Sequence, residues 1–328
     1  QQSVPSLLCT MKGFSTLVLL FSAVLLCHSV PALEPVTCTS ENVNAAARLA
    51  MHHIDMHHSH GYKFRLLDIN GNKMEETDTG CNIELKLGLG ETQCHVVNPK
   101  HFEDCEYSEA NDGSVMSKCT VMMTVVESDA QVTSYSCETQ REISKKELSL
   151  TCPDCPVIMA LNDKEGLNAA LEAVKEFNKN TTNQNYFVLQ DVGRLKLGYI
   201  MLQGMRHFSE IALVESNCPM FSRIVPAACK ALCSHRAQHA VCRSSYSKTT
   251  GVVSLRCEYY PALDTSPLPP GEMEPICEQP PSFSPAGPPA PPPNAGAAQI
   301  EIPLNPLPPV LPCHASPQQE FHPICNWP

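Results

Sequence analysis

The chain has 328 residues, a formal charge of −11 and 18 cysteines, with 43% hydrophobic and 6% aromatic residues. The charge excludes a nucleic-acid partner, which needs clustered Lys and Arg against its phosphates, but leaves room for cations or basic surfaces. So many cysteines fit an exported chain held by disulfides in an oxidising compartment.

The N-terminus supports export. Met11 and Lys12 open an apolar run from Phe14 to Cys27 that closes on Ser29-Val30-Pro31-Ala32. A charged start, a short hydrophobic stretch and small residues describe a signal peptide, too short to span a bilayer. Residues 1–32 are read as leader and signal peptide, with the mature chain beginning at Leu33. No second apolar run is long enough to span, so a soluble, secreted, extracellular protein with no membrane partner is expected. Sixteen cysteines remain once Cys9 and Cys27 leave with the leader.

Glu41 to His58 is Ala-rich, lacks internal Pro and Gly, and places Val43, Ala46, Leu49 and Ala50 on one stripe, which predicts a core-facing helix. It ends in His52-His53-Ile54-Asp55-Met56-His57-His58-Ser59-His60. His53 and His57 lie one helical turn apart and are a candidate pair for a divalent metal such as Zn²⁺ or Cu²⁺, against a solvated helix end that suits histidine anyway. Strand-like runs follow at Tyr62 to Ile69, Val115 to Val126 and Val132 to Cys137. After Cys152-Pro153-Asp154-Cys155-Pro156 a second helix is predicted over Asn162 to Lys179, with Leu167, Leu171, Val174 and Phe177 in line. The sequon Asn180-Thr181-Thr182 predicts a glycan at Asn180. Strand-like runs recur at Tyr186 to Leu195, His207 to Val214 and Gly251 to Tyr259. From Pro261 onward, 21 of 68 residues are proline, which predicts an extended or disordered tail.

Sliding the chain along itself reveals a repeat. Cys94, Cys105, Cys119 and Cys137 match Cys218, Cys229, Cys242 and Cys257 at offsets of 124, 124, 123 and 120. The offset of 124 also pairs Val43-Asn44-Ala45-Ala46 with Leu167-Asn168-Ala169-Ala170, and Tyr62 with Tyr186. The fold class is α+β: two tandem domains over 33–151 and 157–260, each one helix on an antiparallel sheet, joined by a linker over 152–156 and followed by a Pro-rich tail over 261–328.

Cys152-Pro-Asp-Cys155 admits several readings. A redox centre has this spacing but lies at a strand-to-helix junction, not in a Pro-flanked linker. Half of a zinc ribbon needs a matching second pair, and Cys229 with Cys233 is spaced more widely. As a rigid loop, the bridged turn holds the Asp154 carboxylate outward, ready to ligate an open-site zinc without much ordering cost. The bridge also serves if it only fixes the angle between the domains. No Ser/His/Asp set, His-Glu-x-x-His motif or phosphate loop is present, so neither an enzyme nor a cofactor is expected.

Gly61-Tyr62-Lys63, Glu91-Thr92-Gln93-Cys94-His95-Val96, the Cys152-Pro153-Asp154-Cys155-Pro156 linker and a Pro-rich tail closing on Pro312-Cys313 together resemble the fetuins, plasma glycoproteins of the cystatin superfamily. The resemblance implies two cystatin-like domains and the disulfides Cys94–Cys105, Cys119–Cys137, Cys152–Cys155, Cys218–Cys229 and Cys242–Cys257, with a long-range bridge from Cys38 to Cys313. Cys81 with Cys233, and Cys277 with Cys325, would complete the set. It implies endopeptidase inhibition, with astacin-type zinc metalloproteases as the best target and the linker Asp154 meeting the zinc. The other implied role is a calcium phosphate or metal carrier without protease inhibition. Three departures bear on these roles. Leu197 to His207 lacks the Trp that supports the linker in fetuin-B-like proteins. Neither domain has the Gln-x-Val-x-Gly hairpin of papain inhibitors. The strand matching the family's mineral-binding acids reads Glu84-Leu85-Lys86-Leu87-Gly88, one acid with a lysine between.

Overall fold

The computed structural model describes residues 35–39, 43–109, 113–127, 129–179, 182–222, 224, 228–277 and 319–328. The leader over 1–32, Asn180, Cys313 and most of the Pro-rich tail lie outside the described residues.

The first unit runs α1 (Val43–His57), β1 (Tyr62–Thr77), β2 (Gly80–His95), β3 (Val115–Val126) and β4 (Asp129–Arg141). The strands form one antiparallel sheet in that order. A short helix, α2 (Lys145–Thr151), leads into the linker. The second unit runs β5 (Val157–Ile158), α3 (Lys164–Phe177), β6 (Asn185–Ile200), β7 (Gly204–Pro219), β8 (His239–Ser247) and β9 (Gly251–Tyr260), again in sequence order in one sheet. The architecture is α+β, with one long helix laid on each sheet.

Side-chain size sets how closely each helix approaches its sheet. In α1 the deepest residues are Ala46, Ala47, Ala50, Met51 and Ile54, and the larger Val43 and Leu49 flank them. In α3, Ala169, Ala170 and Ala173 are fully buried while Leu167 and Leu171 stand at the margin. At Gly166 a Cβ would fall 2.8 Å from the Leu195 side chain, so glycine permits the contact. Asp163 caps α3 by accepting from the Gly166 amide at 2.8 Å. The sheets meet these helices with alternating rows, such as Ile83, Leu85, Leu87 and Leu89 of β2.

Disulfides fasten both sheets in the same way. Cys94–Cys105 and Cys218–Cys229 each close 11 residues, while Cys119–Cys137 and Cys242–Cys257 join adjacent strands at directly opposed positions. Three pairings differ from expectation. Cys38 bonds Cys81 instead of Cys313, and Cys233 bonds Cys277, which displaces both Cys81–Cys233 and Cys277–Cys325. The reason is proximity within each unit: Cys38 precedes α1 and Cys81 opens β2 beneath it, with their Cα atoms 5.9 Å apart. Cys325 is also disulfide-bonded.

The last ten residues of the Pro-rich tail are extended and lie against the first domain. Ile324 is 2% exposed within the first core, and Trp327 exchanges backbone hydrogen bonds of 2.9 Å with Tyr135 of β4. Asn326 accepts from the Cys137 amide at 2.8 Å, and Glu320 pairs with Arg141 and Lys145. The segment covers the outer edge of β4, which would otherwise present unpaired backbone groups. Its start reaches the other unit, where the Leu161 amide donates to Gln319 O at 2.7 Å.

Candidate functional site

The linker is built as a short closed turn on a rigid stem. Ser144 caps α2, Leu148 anchors it by burial, and the Cys152 amide donates to Leu148 O at 2.8 Å, so the helix ends at the first cysteine. Cys152 and Cys155 are disulfide-bonded across 5.3 Å between their Cα atoms, and the Cys155 amide donates to Cys152 O at 3.1 Å. Pro153 and Asp154 occupy the turn and are exposed. Beyond it, β5 pairs with β6 at Val157–Leu197 and Ile158–Lys196, which ties the return strand to the second sheet. Asp154 is thus a solvent-facing carboxylate on a loop held from both sides.

The β6–β7 hairpin stands beside this loop. A Cβ on Gly198 would lie 3.1 Å from Pro156 and 3.2 Å from the Phe208 ring, so the linker packs on the hairpin base. The tip turns at Met201, Leu202 and Gln203, with Leu202 and Gly204 at positive φ. Leu202 is 96% and Met201 79% exposed, and Tyr199 and Met205 are also exposed. Where tryptophan is missing, methionine, leucine and tyrosine supply an apolar prominence. Grouped apolar exposure of this kind marks a contact surface.

Comparison with known proteins places the chain. The Cathelicidin family model matches residues 42–143. Rabbit (Oryctolagus cuniculus) alpha-2-HS-glycoprotein is 28% identical over 263 residues, 77% of this chain and 71% of the relative. Human fetuin-B is 27% identical over 230 residues, 68% of this chain and 58% of the relative. Mouse fetuin-B has a crystal structure that superposes with a TM-score of 0.54 at 24% identity, covering 70% of each chain. Together these matches support the fetuin family for this chain. Its two units share one fold, a helix laid on an antiparallel sheet, and the pair superposes on mouse fetuin-B. Mouse fetuin-B has also been solved in complex with crayfish astacin, and that structure matches with a TM-score of 0.51 at 24% identity, over 70% of this chain and 73% of the other.

Other candidate residues are placed differently from the linker. His53 and His57 do meet, with ring centroids 4.3 Å apart, but both rings pack on Trp327 at 5.1 and 4.7 Å. His57 Nδ1 is 2.7 Å from His53 O, and among the described residues no third ligand joins the pair. In β2 the leucines face the core, leaving Glu84 and Lys86 on the outer face with their charged atoms 4.0 Å apart. A lysine beside the single acid opposes a row that would hold calcium. Among the described residues no helix is long and apolar enough to cross a membrane.

Sequence reasoning missed a buried polar seam between the domains. Glu91 in β2 pairs with Arg194 in β6, with both side chains 5% exposed or less, and Arg194 Nη1 donates to Gly113 O at 2.8 Å. The Tyr62 hydroxyl donates to Glu210, which Lys196 also approaches at 3.1 Å. Asp191 receives the Gly61 amide at 2.7 Å and lies 3.1 Å from His95 Nε2. One sequence signal was available: Gly61, Tyr62, Glu91 and His95 belong to the same motifs that carried the family resemblance.

Proposed function

We propose that this chain is a secreted inhibitor of astacin-type zinc endopeptidases that presents the Asp154 carboxylate to the catalytic zinc. The observation that carries the proposal is the exposed Asp154 at the tip of the Cys152–Cys155 turn. A catalytic zinc keeps one coordination position for water or substrate, and an anionic oxygen fits it. Fixing the turn by a disulfide and two prolines reduces the ordering cost of that contact. The neighbouring Tyr199, Met201, Leu202 and Met205 offer apolar contact to the walls of the protease cleft. The fetuin-B complex with astacin supports the reading for the family. A carboxylate held on the zinc, without a scissile bond placed over it, blocks the nucleophilic water and gives inhibition without turnover.

The test is titration of crayfish astacin with the wild type and with Asp154→Ala and Asp154→Asn. The wild type inhibits stoichiometrically at nanomolar protease. Asp154→Ala weakens inhibition by roughly a hundredfold or more, the scale of a lost charged anchor, while thermal stability is unchanged because the side chain is exposed. Equal inhibition by wild type and Asp154→Ala sinks the assignment of Asp154. No inhibition by any of the three sinks the function.

A further inference from the structure

Three chain segments that are remote in sequence converge at the top of the domain seam. His60 lies on the turn between α1 and β1. Asp191 sits in β6 at a register irregularity between Leu189 and Asp191, where a bulge re-aims the side chain toward the first domain. His322 comes from the C-terminal segment. His60 Nδ1 is 3.5 Å and His322 Nε2 is 3.3 Å from Asp191 Oδ1, and the three ligand atoms all lie within 4.8 Å of one another.

We propose that His60, Asp191 and His322 form a zinc site that clips the two domains and the C-terminal segment together. Two imidazoles and a carboxylate are a borderline nitrogen and oxygen set that suits Zn²⁺ and disfavours Ca²⁺ and Mg²⁺. Donors bound to one tetrahedral ion by bonds of about 2.0–2.1 Å stand about 3.4 Å apart, the spacing seen here on both measured edges. The His60 contact of 3.5 Å, by contrast, is long for a hydrogen bond. The carboxylate is pre-aimed: its Oδ2 receives the Gly61 amide and His95, and Oδ1 receives the Val192 amide at 2.9 Å. Such outer contacts hold ligands in metal sites. Asp191 and His322 are buried, while the His60 side chain is 19% exposed. The fourth position therefore opens toward solvent on the His60 side, where a water completes the coordination. His322 Nε2 also lies 2.9 Å from Val192 O, so taking the metal means exchanging that contact for the ion.

The site is separate from Asp154, and its test does not depend on protease inhibition. Full-length chain freed of metal with EDTA is titrated with Zn²⁺ by calorimetry and with Co²⁺ by visible absorption. One ion per chain is expected, with the intense cobalt bands of a tetrahedral nitrogen and oxygen site and a higher melting temperature with zinc. His60→Gln and His322→Gln each weaken zinc binding roughly tenfold or more. Asp154→Ala and the His53→Gln/His57→Gln pair leave it unchanged. If His322→Gln fails to fold by circular dichroism, the partly exposed His60→Gln decides alone. A wild type that takes up no zinc, a His60→Gln protein that binds as tightly as wild type, or binding abolished only in the His53/His57 variant each overturns the site.

Discussion

Glu91 and Arg194 illustrate what a single buried pair does at the domain seam. Each is nearly inaccessible to solvent, so removing one partner strands the other charge away from water. Arg194 lies over the Tyr62 ring at 5.5 Å, and its stem fills space that a methionine also fills. Glu91→Gln or Arg194→Met alone should therefore cost about 3–5 kcal/mol in urea unfolding, and Arg194→Met/Glu91→Leu together should recover most of that loss. Single variants within about 1 kcal/mol of wild type would show that the pair does not hold the seam. Nothing in sequence periodicity reveals such a pair, because its members are 103 positions apart and belong to different repeats. Asp191 was hidden for the same reason: its partners His60, His95 and His322 lie in another domain or the tail.

At the scale of elements, the helices and most strands were legible because alternation and helical spacing follow directly from burial on one face. β3 begins and ends at the residues that periodicity picks, Val115 and Val126. β2 carries the same alternation through Ile83, Leu85, Leu87 and Leu89, yet glycines at 88 and 90 obscure it. The C-terminal segment escaped because it follows a long Pro-rich stretch, although Phe321, Ile324 and the chain's single Trp327 are unlike the prolines before them. The linker was legible as a motif, and the resemblance pointed to Leu197 to His207 beside it, but the hairpin's contact with Pro156 depends on tertiary packing. The two possible roles of the Cys152–Cys155 bridge separate here. It closes a sequence interval of only 3, so it constrains the unfolded chain little. Cys152→Ser/Cys155→Ser should cost no more than about 2 kcal/mol, a fall of roughly 3–7 °C in melting temperature. Inhibition of astacin should nevertheless weaken by roughly tenfold or more, because Asp154 must then be ordered on binding. A large loss of stability with inhibition intact would assign the bridge to the domain angle alone.

The whole molecule is one assembly of two similar domains tied by a polar seam and a returning C-terminal segment, and buried histidines make it sensitive to acid. His239 at the start of β8 is 5% exposed, and burial first of all, with repulsion from His95 added, pushes its pKa down to about 4, although a backbone contact at Ala237 works the other way. His58 is pushed down to about 3 by burial, with His322 acting in the same direction. A histidine whose folded pKa lies below its unfolded value is neutral in the fold and takes its proton on unfolding. Its contribution is complete above about pH 6.5 and is lost as the pH falls toward the folded value. The loss for His239 alone is on the order of 3 kcal/mol by pH 4. His322 runs the other way. Burial lowers its pKa, but Asp191 and the Val192 carbonyl outweigh burial and leave it raised, so its contribution is held at low pH and lost as the pH rises through that value. Between pH 7 and pH 4.5 the first effect dominates, since His52, His53, His58 and His239 are all depressed while His322 is raised. Melting temperatures in EDTA should fall across that range for the wild type, and fall less steeply for His239→Gln, which has no charge to acquire. A flat wild-type profile, or an unchanged slope in the variant, would show that acid acts on this fold elsewhere than through its buried imidazoles.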